Sequence, residues 1–243
     1  MKALLLAAGL GTRLRPLTLK VPKCLVPIAG KPLLEYHFDS LREAGFSDIL
    51  INTHYLADQV SAFIDAYKIR NPDLSITISY EPQLLGSAGT LRNNFDFFKD
   101  QDDFLVSYAD NFTNIDYKKL IAFHRDKKAI CTIATYYEEH IEQKGMIILD
   151  DNNGILAFKE KPKTEEVVSH FANAGMYVMN SKIFDVINSF KKEQLLDFGH
   201  DVFPELLIRQ EKMYAYTMNE NLLDIGNMES YAMAQLLAAE MFK

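Results

Sequence analysis

The chain has 243 residues, 48% of them hydrophobic and 24% charged, a composition that excludes a disordered or collagen-like polymer. Its 26 lysines and arginines stand against 33 aspartates and glutamates, and the net charge of −7 argues against a nucleic-acid partner, which would need a basic face. No apolar run approaches the roughly 20 residues that span a bilayer, so no membrane partner is expected.

Residues 3–8 form a short continuous apolar run closed by Gly9, which predicts a buried parallel strand leading into a glycine loop. Residues 9–32 carry Pro16, Pro22, Pro27 and Pro32, too many for a helix interior. Pro32 opens a helix whose Leu33, Leu34, Phe38 and Leu41 share one face, and Gly45 closes it. Strands are predicted at 49–51, 75–80, 104–107 and 130–135, with helices at 56–68, 88–98 and 116–126 between them. Such alternation predicts an α/β fold with a mostly parallel sheet and helices on both faces. Strands follow at 146–149, 155–159 and 176–179, the first two joined by a hairpin turn at 150–154. Helices at 183–190 and 202–210, a strand at 213–218 and an amphipathic helix over 228–242 complete the pattern. One domain is expected over 1–243, with a nucleotide-type half at 1–135 and a strand-rich second half at 136–243 that ends in the helix. Ligands of open α/β sheets bind at the carboxyl edge, so residues just after strands are the ones to inspect.

Charge is unevenly placed. The first acidic residue is Glu35, and before it stand Lys2, Arg13, Arg15, Lys20, Lys23 and Lys31. A purely basic opening in an acidic protein points to a site for a small anion. Gly9-Leu10-Gly11-Thr12-Arg13 follows the first strand directly, where glycines let backbone N–H groups close around a phosphate. The P-loop is excluded because no Gly-Lys-Ser/Thr occurs, and the dinucleotide fingerprint fails at Leu14, where a third glycine belongs. Cys24 and Cys131 make neither a disulfide framework nor a metal cluster and fit a reducing, cytoplasmic setting. The six histidines show no zinc spacing.

The wider context is more specific. Leu6-Ala7-Ala8-Gly9-Leu10-Gly11-Thr12-Arg13-Leu14-Arg15-Pro16-Leu17-Thr18 and Val21-Pro22-Lys23 resemble the signature of the sugar-1-phosphate nucleotidylyltransferases, the nucleotide-sugar pyrophosphorylases. The resemblance continues through Lys31-Pro32-Leu33-Leu34, Leu85-Gly86-Ser87-Ala88-Gly89-Thr90-Leu91, Asp110, Glu160-Lys161-Pro162, Asn173-Ala174-Gly175 and Asp224-Ile225-Gly226, all in the family's order. Mannose-1-phosphate guanylyltransferase-like members look most similar.

The resemblance implies a nucleotide-diphospho-sugar transferase fold, its second half binding the sugar. A sugar-phosphate oxygen attacks the α-phosphorus of a nucleoside triphosphate, giving an NDP-sugar and pyrophosphate. It implies Arg13, Lys23 and Asp110 as catalytic residues, and Asp110 and Asp224 as ligands of a Mg²⁺ cofactor, an ion that needs few carboxylates when phosphates complete its shell. Ala7, Ala8, Gly9, Gly11, Thr12, Arg13, Glu81, Gly86 and Ser87 would bind the nucleotide. Gly145, Glu160, Lys161 and Asn173 would bind the sugar 1-phosphate, although Gln143-Lys144-Gly145-Met146 departs from the family's aromatic-Gly-aliphatic pattern. Glu81 stands at the base-reading position, and a carboxylate accepts from guanine N1–H and N2–H₂, which favours GTP, with UTP, dTTP or CTP the alternatives. The products would feed polysaccharide or glycoconjugate synthesis in the cytoplasm, and a homodimer is compatible with the family. Relatives often carry a C-terminal β-helix, whose activity is expected to be absent where the chain closes on a helix. Rival readings are a non-catalytic nucleotide sensor on the same fold, a nicotinamide- or flavin-dependent oxidoreductase, and transfer to a phospho-alcohol.

Overall fold

The computed structural model describes residues 1–242. The chain opens with β1 (Lys2–Leu6), the two-residue strands β2 (Pro27–Ile28) and β3 (Lys31–Pro32), α1 (Leu33–Glu43) and β4 (Asp48–Thr53). Then come α2 (Ala57–Arg70), β5 (Ser75–Tyr80), α3 (Ser87–Asn93), α4 (Phe95–Phe98), β6 (Asp103–Tyr108) and β7 (Asn111–Thr113). The middle holds α5 (Tyr117–Lys127), β8 (Cys131–Tyr137), β9 (Gly145–Leu149), β10 (Ile155–Glu160) and β11 (Phe171–Asn180). The chain finishes with α6 (Ile183–Ile187), α7 (Phe203–Ile208), β12 (Met213–Thr217), β13 (Leu222–Asp224) and α8 (Met228–Met241). This is a mixed α/β fold with a mostly parallel central sheet flanked by helices. Among the described residues no helix is long and apolar enough to cross a membrane.

The chain divides into two compact units. One comprises Met1–Leu84, Ser107–Tyr117 and the stretch from Glu220 onward; the other comprises Leu85–Val106 and Lys118–Asn219. In the first, β4 lies between β1 and β5, parallel to both, with Leu5 opposite Ile51 and Ile51 opposite Ile78. Ala3, Leu4, Leu5, Ile49 and Ile51 are fully buried, as continuous apolar runs in a parallel sheet must be. Parallel strands bring their carboxyl ends to one edge, so the glycine loop, His54 and Glu81 all leave from the same side.

The proline-rich segment is not a free loop. Leu14, Val26, Ile28, Leu33 and Tyr36 are buried together with Phe112, Ile225, Ala234 and Ala238, which ties it to α8 and to the short antiparallel pair β7–β13. That pair sets Asp224 opposite Asn111, and the Ile225 N–H donates to the Asp110 carbonyl at 2.9 Å. Two aspartates 114 positions apart in sequence are thereby made neighbours.

In the second unit β8 lies between β11, antiparallel, and β12, parallel, while β9 pairs antiparallel with both β10 and β11. Two expectations need correction here. The strand predicted at 176–179 is ten residues long, Phe171–Asn180, because Gly175 (φ +69°) sits in a register shift between Asn173 and Tyr177 and does not end the strand. The helix predicted at 88–98 breaks into α3 and α4 at Asn94, whose backbone (φ −109°, ψ +26°) leaves helical geometry while its side chain donates back to the Thr90 carbonyl at the end of α3.

Candidate functional site

The first unit carries a loop shaped from the end of β1. The Ala7 N–H donates to Asn52 Oδ1 at 2.7 Å, and Asn52 Nδ2 donates to Glu81 Oε1 at 2.9 Å. Gly11 adopts φ +62°, and a β-carbon there would lie 2.9 Å from Thr18 Cγ2 and 3.2 Å from Lys23 Cβ. Thr18 Oγ1 locks the turn by donating to the Gly11 carbonyl. A β-carbon on Gly9 would meet nothing within 4 Å, so the protein leaves the space over that backbone open. Gly9, Thr12 and Arg13 are exposed, whereas Ala8 is buried.

Charge converges just beyond. Lys23, on a single helical turn (Lys23–Leu25), places its ammonium 2.5 Å from Asp110 Oδ2 and 3.9 Å from Asp224 Oδ1. The Lys23 side chain is 12% exposed and those of Asp110 and Asp224 are 31% and 33% exposed. Arg13 joins them: one guanidinium nitrogen and Asp224 Oδ1 both lie 3.3 Å from where a β-carbon on Gly226 would stand. A larger side chain at Gly226 would therefore crowd both Arg13 and Asp224. Adjacent Cys24 is buried and its thiol is pushed up to about 12 by burial, so it is an inert neighbour.

Behind Asp110 stands His37 of α1, a residue that motif reasoning passed over. Its ring is buried and bonds to the backbone of Ala109 and Asn111, leaving Nε2 without a partner. Burial pulls its pKa down to about 4, against the attraction of Asp110. Its neutrality at physiological pH leaves Lys23 as the cation beside Asp110 (2.5 Å).

Glu81, expected beside the base, is 2% exposed and spends its carboxylate on Asn52, itself 3% exposed. Its backbone stays engaged too: the N–H donates to the Thr53 carbonyl, and its carbonyl meets His54 Nδ1 at 2.7 Å. Glu81 and Asn52, both buried, and half-buried Ala7 thus form a chain of hydrogen bonds that fixes the exit of β1.

The second unit carries the other predicted residues. Gly86 has φ +81°, and a side chain there would strike the Leu196 carbonyl, which accepts from the N–H groups of Ala88 and Gly89. Gly86 is thus required by the crossing segment of this same protein. Ser87 Oγ donates to Asp197 Oδ2 at 2.7 Å, while Asp197 Oδ1 accepts from the N–H groups of Gly199 and His200.

Gly145 faces Glu160 across the β9–β10 ladder, and β-carbons on Gly145 and Gly199 would lie 2.9 and 2.8 Å from Glu160 Oε2. The carboxylate is lodged between two bare backbones. Burial raises its pKa, with Asp197 adding to the rise and Lys161, His200 and Lys144 opposing it. Asn173 lies against Gly145, donates to the Tyr177 hydroxyl at 2.9 Å and accepts from Gly175 N–H. Lys161 follows with φ +47°, a left-handed turn uncommon for a side-chain residue. Gly145, Glu160, Lys161 and Asn173 therefore share one place. Asp197-Phe198-Gly199 was missed, although an aspartate two residues before a glycine is a turn signal legible in any sequence.

Two carboxylates converging on one point suit a divalent ion that takes its remaining ligands from a phosphorylated substrate. Among the described residues there is no group of three or more metal-binding side chains, so Asp110 and Asp224 would need such a substrate to complete a shell.

The fold and this edge define a class, the α/β proteins that hold ligands where parallel strands end. The nucleotidyl transferase family matches residues 2–240, and the chain belongs to that family. Among curated relatives, the UTP–glucose-1-phosphate uridylyltransferase of Synechocystis is 36% identical over 95% of this chain and 61% of its own length. Mannose-1-phosphate guanyltransferase of Saccharomyces cerevisiae is 32% identical over 98% of the chain and 64% of its own length. The chain thus spans about three-fifths of the length of these relatives. Among solved structures, HddC from Yersinia pseudotuberculosis complexed with GMP-PN superposes with TM-score 0.78 at 26% identity, covering 100% of this chain and 99% of that one. Apo UDP-glucose pyrophosphorylase shares the fold, with TM-score 0.82 at 21% identity over 98% of each chain.

Proposed function

We propose that the protein transfers a nucleotidyl group from a nucleoside triphosphate to a sugar 1-phosphate, releasing pyrophosphate. The observation that carries this reading is the meeting of Lys23 with Asp110 and Asp224 beyond an open glycine loop. A phosphate oxygen of the sugar phosphate forms a bond to the α-phosphorus, and the bond from that phosphorus to the bridging oxygen of pyrophosphate breaks. Little covalent work falls to the protein, which must position the two anions and offset their charge. Backbone N–H groups of Gly9, Gly11 and Thr12 cradle phosphate oxygens, and Arg13 grips the departing pyrophosphate in bidentate fashion. Lys23 contacts the reacting phosphates. Asp110 and Asp224 hold the Mg²⁺, which when bound neutralises phosphate oxygens. Ala7 and Ala8 shape the exit of β1, with Glu81 acting through Asn52, and Gly86 and Ser87 flank the base. Glu160 and Asn173 accept and donate to sugar hydroxyls, Gly145 presents its backbone, and Lys161 meets the sugar phosphate.

GTP with mannose 1-phosphate or a similar sugar is the favoured pair, supported by several relatives near 32% identity named mannose-1-phosphate guanyltransferase. UTP with glucose 1-phosphate is the second, supported by the 36% identical uridylyltransferase. Pyrophosphate release measured with five triphosphates against a panel of sugar 1-phosphates decides between them. Nucleotide binding with no release for any pair would leave only the sensor.

A further inference from the structure

Lys23 stands where a metal cation is expected. The β7–β13 ladder forces Asp110 and Asp224 together, and two carboxylates so placed repel unless positive charge lies between them. Here that charge is the Lys23 ammonium, 2.5 Å from one and 3.9 Å from the other. An ammonium held on Asp110 Oδ2 occupies an oxygen that a divalent cation would take, so the two cations compete there.

We infer that Lys23 is a placeholder cation, a role that rests on the proposed assignment of both aspartates to a divalent ion. In the nucleotide-free protein its ammonium bonds Asp110, lies close to Asp224 and competes with a metal for them. When a metal-bearing triphosphate arrives, Lys23 leaves the aspartates, turns on its flexible stem and takes a phosphate oxygen. Lysine suits this exchange because it is a compact point charge on four rotatable methylenes, whereas the planar fork of arginine would hold a carboxylate in fixed geometry. The same side chain therefore opposes metal binding before nucleotide enters and favours nucleotide binding afterwards. A permanently structural ion pair would lack that reversal of sign.

The test titrates Mn²⁺ alone into the full-length chain, following free Mn²⁺ by electron paramagnetic resonance. Lys23→Met keeps the apolar stem and removes the charge. It should tighten Mn²⁺ by about tenfold, the scale expected when a partly exposed carboxylate pair loses a competing charge. With a non-hydrolysable GTP analogue and Mn²⁺ present, the same variant should bind the nucleotide more weakly than wild type. Unchanged or weaker Mn²⁺ binding by Lys23→Met, with binding still lost in Asp110→Asn, overturns the placeholder and spares the metal site. Binding that survives in both Asp110→Asn and Asp224→Asn overturns the metal assignment and the placeholder with it. A second measurement needs no variant: the rate at which acetic anhydride modifies Lys23 in the wild type, read by mass spectrometry, should rise when Mg²⁺ alone is added. A rate indifferent to Mg²⁺ overturns the placeholder.

Discussion

The hydroxyl of Ser87 donates to the carboxylate of Asp197 at 2.7 Å, joining the start of α3 to a turn 110 residues later. The other Asp197 oxygen caps the Gly199 and His200 N–H groups, and Gly199 is the bare backbone against which Glu160 rests. Asp197 is thus a positioning residue for the proposed sugar pocket. Asp197→Ala leaves three donors unanswered and should cost about 1–3 kcal/mol in urea unfolding. It should also raise KM for the sugar 1-phosphate more than KM for the triphosphate. Equal effects on both constants would assign it a purely structural part.

Much of this was legible from residue patterns. The apolar runs at 3–8 and 49–51 locate β1 and β4, because strands buried on both faces carry no polar alternation to blur them, whereas Ser75–Tyr80 shows the alternation of a half-buried strand at the edge of the sheet. The charge asymmetry before Glu35 and the loop after β1 pointed to Arg13 and Lys23. Nothing in the sequence announces β7 and β13, three residues each, yet they bring Asp224 to Asp110. Strands that short have no period to read. Gly86 and Gly9 look alike in sequence and are opposites in space, since only packing reveals that Leu196 crosses one of them.

That contrast can be measured. Gly86→Ala places a β-carbon against the Leu196 carbonyl on a backbone at φ +81°, and should lose about 2–4 kcal/mol of stability. Gly9→Ala meets open space and should change stability by less than about 0.5 kcal/mol. Its methyl would instead stand where a phosphate is proposed to lie. Nucleotide affinity, followed by calorimetric titration, should fall about tenfold or more while the urea midpoint holds.

Asp110→Asn removes one of the two carboxylates facing Lys23 without altering side-chain size. Turnover should drop by about a thousandfold, the scale of losing a charge that organises phosphoryl transfer. The far-ultraviolet circular dichroism should not change. Rates near wild type in excess Mg²⁺ would remove Asp110 from the proposed metal site.

His37 supplies a pH signature separate from catalysis. Its ring is neutral in the fold, with a pKa of about 4 against 6.5 when unfolded, so the unfolded chain binds the extra proton between those values. Stability is then complete above about pH 6.5 and is lost progressively as pH falls toward 4. From pH 7 to 5.5 the contribution is about 1 kcal/mol. Urea midpoints of wild type and His37→Gln should converge across that interval. Parallel curves would mean that the ring is not held neutral.

Glu160 carries the opposite linkage and separates a sugar-binding role from a structural one. Burial raises its pKa in the folded protein, so the ionised carboxylate costs stability at neutral pH, and the cost disappears as pH falls through the raised value. Glu160→Gln should therefore melt at a higher temperature than wild type at pH 7, with the advantage fading in acid. A glutamine fills the slot between Gly145 and Gly199 equally well but accepts hydroxyl protons less strongly. KM for the sugar 1-phosphate should rise by about 10- to 100-fold, the loss of one charge-assisted hydrogen bond. Below the raised pKa the wild type should approach the variant's KM, because its own carboxyl is then protonated. A variant that is less stable at pH 7, with an unaltered KM, would show that Glu160 braces β10 and does not receive the sugar.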